Sequence, residues 1–165
     1  WEQRLQADVQ ARGKLHPPQG SDYFVYPPEV FIHIPDFAVG RAGWDNWMIY
    51  HARRQGWKVI DGTPSLMVVH QNHDYSHLPG GRPHYDLQES QHNMALGGGL
   101  AHMYMILDAD YQFINGRIKR APLTPLRLLR MLERSLIPED GRLRGLRGGL
   151  ARRVRRLRRK YTGGS

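Results

Sequence analysis

The sequence predicts an α/β fold with a mixed sheet, followed by a basic amphipathic helical tail. Three features of its 165 residues point there. Segments with apolar residues at helical spacing alternate with short β-branched or apolar runs. Asn115-Gly116 lies between two such runs, the strongest short-range signal for a hairpin. Charge divides sharply: residues 1–116 hold 8 Lys/Arg and 12 Asp/Glu, a net −4, whereas residues 117–165 hold 16 and 3, a net +13. The expected division is therefore an α/β domain over 1–120 and a basic helical tail over 121–165. The pI of about 10.2 describes the tail, and a nucleic-acid reading of the whole chain does not follow from it.

Residues 2–12 place Leu5 and Val9 on one helical face, with Gly13 as the stop. His16 to Gly20 reads as a linker. Asp22 to Tyr26 reads as a short buried strand closed by Pro27-Pro28, and Glu29 to Ile34 as one helical turn. Phe37 to Gly43 is a glycine-bearing loop. Trp44 to Gln55 is helical, with Asp45 in the first turn and Gly56 as the C-terminal glycine. Trp57 to Ile60 and Leu66 to Val69 read as two buried strands. Glu89 to Leu96 reads as a helix stopped by Gly97-Gly98-Gly99, and Met103 to Leu107 as a strand. Tyr111–Ile114 and Arg117–Lys119 form the hairpin. Thr124-Pro125 is an N-cap with proline at the first helical position, and Pro138 ends that helix. A last segment spaces Leu146, Leu150, Val154 and Leu157 at helical intervals among ten Lys/Arg.

Composition removes several classes of chemistry. There is no cysteine, hence no disulfide scaffold, thiolate zinc site or Cys nucleophile. No apolar run approaches the roughly 18 residues of a membrane span, and no signal peptide is visible.

The order of features from Asp22 to His70 carries the functional reading. An aromatic segment leads to a Gly-loop and Gly43-Trp44-Asp45-Asn46-Trp47 at a helix start. Arg53-Arg54-Gln55-Gly56-Trp57-Lys58-Val59-Ile60 follows, then Thr63-Pro64 and Val68-Val69-His70, which runs on as Gln71-Asn72-His73-Asp74-Tyr75-Ser76-His77. This order resembles the acceptor-side half of a bacterial GT-A glycosyltransferase of the family 2 type, over roughly residues 20–110. The resemblance implies a partial GT-A (nucleotide-diphospho-sugar transferase-like) domain that moves a sugar from a nucleotide-sugar donor to a glycan or lipid-linked acceptor hydroxyl. It implies Asp45 as catalytic base, Asp22, Trp44, Asn46, His73 and Tyr75 around the acceptor, and His70 as a ligand of a divalent metal, Mn²⁺ or Mg²⁺. The D-x-D-like motif of the donor half has no counterpart here. Asp108-Ala109-Asp110 has its letters but follows the histidine, and reads as a structural turn. The expectation is thus a fragment lacking the donor-binding half.

Other readings stand beside this one. Asp45 is equally well a plain helix-start residue. His70, His73 and His77, spaced 3 and 4, also suggest a metal-dependent phosphoesterase, although Asn72, Asp74 and Pro79 favour a loop over the helix that would align them. Trp44 and Tyr75 suit stacking on a sugar ring, whereas Trp47, Trp57 and Phe24 suit core packing. In the tail, Arg152, Arg153, Arg155, Arg156, Arg158 and Arg159 suit an anionic membrane surface, placing the chain at the cytoplasmic face of a membrane. A non-catalytic membrane- or RNA-binding module is the rival from another class. RNA ranks lower because no aromatic interleaves with the arginines before Tyr161.

Overall fold

Five helices and a small mixed sheet make up the computed structural model, which describes residues 1–70 and 87–162. In chain order these are α1 (Glu2–Arg12), α2 (Trp44–Arg54), β1 (Ile60–Asp61), α3 (Gln88–Leu96), β2 (Tyr111–Ile114), β3 (Arg117–Arg120), α4 (Pro125–Leu136) and α5 (Gly145–Thr162). Two 3-10 turns, Leu100–His102 and Ile106–Asp108, connect α3 to β2.

The sheet runs β1-β2-β3, with β1 parallel to β2 and β2 antiparallel to β3. Ile60 pairs with Tyr111 and Tyr111 with Arg120. The β2–β3 turn is tight because Asn115 (φ 49°) and Gly116 (φ 75°) both take the left-handed conformation that a two-residue hairpin demands.

Local chemistry fixes the helix ends. Thr124 Oγ1 accepts the Arg127 N–H at 3.3 Å, and Pro125 follows at the first helical position. Gly43 caps α2 at φ 108°, a conformation closed to most side chains. The core is small: Trp47, Met48 and Ile49 of α2 are buried, as are Met103, Met105 and Ala109, while α1 buries nothing.

Four strand expectations are corrected. Trp57–Ile60 is not a buried strand: only Ile60 enters the sheet, with Asp61, and the Ile60 side chain is exposed. Asp22–Tyr26 is extended but joins no ladder: Phe24 and Tyr26 make ring contacts with Trp44 and Phe31, while Tyr23 and Val25 are exposed. Leu66–Val69 is likewise not a strand. Leu66 closes a turn on the Gly62 carbonyl at 2.9 Å, and all four side chains are exposed. Met103–Leu107 gives way to the 3-10 turn at Ile106–Asp108, because the Asp108 carboxylate accepts the Met105 N–H at 2.9 Å and curls the chain. The helical turn expected at 29–34 is a hydrogen-bonded turn closed from Val30 N–H to the Pro27 carbonyl at 3.1 Å.

The basic tail is bound to the body. Asp108 is buried and takes Arg130 Nε at 2.9 Å and Arg134 Nη1 at 3.3 Å, both from α4. Arg134 also lies 3.7 Å from the Tyr104 ring centroid. Beyond α4, the Glu133 carboxylate accepts Arg155 Nε at 2.6 Å and Arg158 Nε at 2.7 Å, clamping α5 onto α4. Glu133 and Arg158 are almost fully buried, at 1% and 2% exposure. Among the six arginines expected to face a membrane, Arg155 and Arg158 therefore point inward, drawn by this carboxylate.

Candidate functional site

The N-terminus of α2 forms one wall of a cleft of about 360 Å³ lined chiefly by aromatic and apolar side chains. Trp44 and Met48 come from α2, Asp22, Tyr23, Phe24 and Tyr26 from the extended segment, and Phe37 and Val39 from the Gly-loop. Phe24 meets the Trp44 ring edge-on at 5.7 Å, which sets the indole against the cleft. His70 Nδ1 lies 3.4 Å from Asp22 Oδ2, so the imidazole stands at the Asp22 end.

Asp45 is close by. Its Oδ2 accepts the Ser21 N–H at 3.1 Å, tying the residue before Asp22 to the first turn of α2. Burial raises the Asp45 pKa above its ordinary 3.8, and backbone N–H groups of Asn46, Ser21, Asp45 and Gly43 offset part of that rise. A carboxylate so placed is a stronger base than one in water.

Asn46 plays a different part. Its Nδ2 donates to the carbonyls of Gln19 and Tyr104, each at 2.7 Å, and its own carbonyl accepts the Tyr104 N–H at 3.2 Å. Its donors are thus spent on joining the linker, α2 and the chain after α3. Asn46 positions the wall of the cleft.

The Gly-loop is held from behind by Asn93 of α3, which sequence reasoning overlooked. Asn93 Oδ1 accepts the Ala38 N–H at 2.8 Å, and its Nδ2 donates to the carbonyls of Ala38 at 2.9 Å and Ala42 at 3.3 Å. A short helix with almost no amphipathic pattern gave no reason to single out one amide. Asp110 performs a similar task behind the sheet, pairing with Arg53 at 2.9 Å and accepting the Val59 N–H at 3.1 Å.

The structure thus gathers Asp22, Trp44, Asp45, Asn46 and His70 at one end of α2. His73 and Tyr75 lie outside the described residues, as do His77 and His84 of the histidine cluster. His102 belongs elsewhere: it stacks on Tyr50 with centroids 4.1 Å apart, and its Nδ1 sits 3.0 Å from the Gly97 carbonyl.

Among the described residues, no three His, Asp or Glu side chains converge as a metal cage. Asp22 and His70 bring one oxygen and one nitrogen together, paired with each other at 3.4 Å. Comparison of the chain with protein-family models, curated proteins and solved structures gives no match. The site is therefore read from its own chemistry.

Proposed function

We propose that the cleft at the N-terminus of α2 is the acceptor side of a GT-A-like sugar-transfer site. The observation that carries the reading is an aromatic-lined cleft that holds Asp22 and Trp44, with His70 paired to Asp22 and the desolvated Asp45 carboxylate tied to the adjoining Ser21. Aromatic faces flanked by carboxylates and an imidazole suit a sugar, which offers an apolar C–H face and a rim of hydroxyls.

In this reading Asp45 accepts the proton of an acceptor hydroxyl as that oxygen bonds to the anomeric carbon of the donor. The bond from the anomeric carbon to the diphosphate oxygen breaks, and the diphosphate departs with the electron pair. Trp44 stacks on the acceptor ring, and Asp22 orients a hydroxyl. When bound by Asp22 and His70, a divalent ion would supply charge neutralisation for the departing diphosphate.

The test is calorimetric titration with a panel of nucleotide-diphosphate sugars, with and without Mn²⁺, followed by a transfer assay with glycan and lipid-linked acceptors. Asp22→Asn and Asp45→Asn are assayed beside the parent. The reading requires acceptor-saccharide binding that weakens in Trp44→Ala, together with transfer, measured with a donor-binding domain supplied alongside, that is lost in Asp45→Asn. Full transfer by Asp45→Asn removes that residue from the chemistry. Failure of every acceptor saccharide to bind sinks the site as a whole.

A further inference from the structure

α5 does not pack through its leucines. Its buried residues are Gly148, which packs on the Leu143 backbone, and Ala151, Val154 and Arg158, with Arg155 and Arg158 held by Glu133 of α4. The Nε groups of Arg155 and Arg158, each donating to one Glu133 oxygen, close the contact with α4. The residues that sequence periodicity marks as the apolar stripe are left in the open: Leu146, Leu150 and Leu157 are exposed, and so is Tyr161. At about 100° per residue these four fall within an arc of about 60°, so they form one continuous stripe.

Cations border that stripe. Arg153 and Lys160 flank it on one side, and Arg156, Arg152 and Arg159 continue the charged surface beyond; all five are exposed. Residues 141–160 contain no acid to neutralise them. Across the hairpin, α4 leaves Leu128, Met131 and Leu132 exposed as well. No helix among the described residues is long and apolar enough to cross a membrane.

We propose that this outer face of α5 docks onto an anionic lipid surface. The leucines and Tyr161 enter the boundary between headgroups and acyl chains, and Arg153, Arg156 and Lys160 meet the lipid phosphates. Charge complementarity selects an anionic partner. The apolar stripe beside the cations selects a lipid surface over RNA, because phosphate contacts alone give leucines nothing to bury against. Arg155 and Arg158 take no part, since Glu133 already holds them.

Co-sedimentation of the full chain with vesicles tests this. Phosphatidylcholine vesicles are compared with vesicles that also contain phosphatidylserine, at low and high salt. Binding is expected to the anionic vesicles only, and to weaken as salt rises. The double variant Leu150→Asp/Leu157→Asp is expected to lose binding, and Arg153→Glu/Lys160→Glu to weaken it at least about tenfold. All four positions are exposed, so circular dichroism should show the hairpin intact in both variants. Equal binding to neutral and anionic vesicles, or no binding to either, overturns the proposal. So does undiminished binding by the leucine variant. RNA binding that survives the leucine variant and displaces the vesicles reassigns the face to nucleic acid.

Discussion

Asn93 grips Ala38 at both of its backbone polar atoms, donating to the carbonyl at 2.9 Å and accepting from the N–H at 2.8 Å. The amide is completely buried, and it mimics a strand partner for a loop that has none. Because Phe37 and Val39 on either side of Ala38 line the cleft, one side chain of α3 sets the shape of a site it never enters.

Asn93→Leu should therefore leave the part-buried Ala38 N–H without its acceptor, while the Ala38 carbonyl keeps the Arg41 N–H at 3.2 Å. A buried group left unpaired costs about 1–3 kcal/mol. The expected loss in urea denaturation is about 1–3 kcal/mol. The Ala38 amide should also exchange its hydrogen faster than in the parent, well before global unfolding. An unchanged exchange rate would show that the loop is held by something else.

Glu133 is the second such point. Glu133→Gln leaves the buried Arg158 without a counter-charge, and breaking a buried pair in this way costs about 3–5 kcal/mol. Arg155→Gln should cost clearly less, because Arg155 is partly exposed and Arg158 still answers Glu133. Differential scanning calorimetry of the two variants orders them, and equal losses would contradict the assignment of Arg158 as the dominant partner.

The ionisable groups set the pH dependence with definite signs. Desolvation lowers the His51 pKa below its ordinary 6.5, so the unfolded chain takes up that proton first. Stability is present above about pH 6.5 and declines as pH falls through that value; His51→Gln should flatten this limb of a urea-midpoint profile. Burial works against the Glu133 carboxylate, but the hydrogen bond from Arg158, the charge of Arg130 and the hydrogen bond from Arg155 together hold its pKa below the ordinary 4.5. Its contribution is complete above 4.5 and is lost as pH falls through the lowered folded value.

Asp45 has the opposite sign. Its raised pKa means that the folded state takes up the proton first, so its carboxylate weakens the fold at neutral pH. Asp45→Asn keeps an oxygen for the Ser21 N–H and removes the buried charge. The variant is expected to be at least as stable as the parent while losing sugar transfer, and the acid limb of the parent's transfer profile should lie above 3.8. Marked destabilisation of Asp45→Asn would instead make the carboxylate a structural pin.

Much of this arrangement is legible in the residues themselves. Gly56, Asn115-Gly116 and Thr124-Pro125 carry their conformations locally, and the helix ends and hairpin fall where they say. Leu66–Val69 shows the reverse: an apolar run becomes a strand only if another backbone offers its hydrogen bonds, and the run itself cannot say so. The grouping of Asp22, Trp44, Asp45 and His70 comes from the family resemblance alone, not from spacing or periodicity. The task of Asn46 was not legible, because its two acceptor carbonyls come from positions 19 and 104. The inward turn of Arg155 and Arg158 had a faint signal. Glu133 is the sole acid of α4 among its arginines, and a lone carboxylate in such company invites partners from the neighbouring helix.

That lone carboxylate also decides when α5 can exist. Arg152, Arg155, Arg156 and Arg159 stand three and four apart, a spacing at which like charges repel. Gly145, Gly148 and Gly149 further weaken the helix. Left to itself, the segment has every reason to remain a coil. Against α4, Glu133 supplies Arg155 and Arg158 with a counter-charge that the segment itself lacks. α5 is a conditional helix, and each counter-anion that reaches its outer side finishes a neutralisation that Glu133 begins.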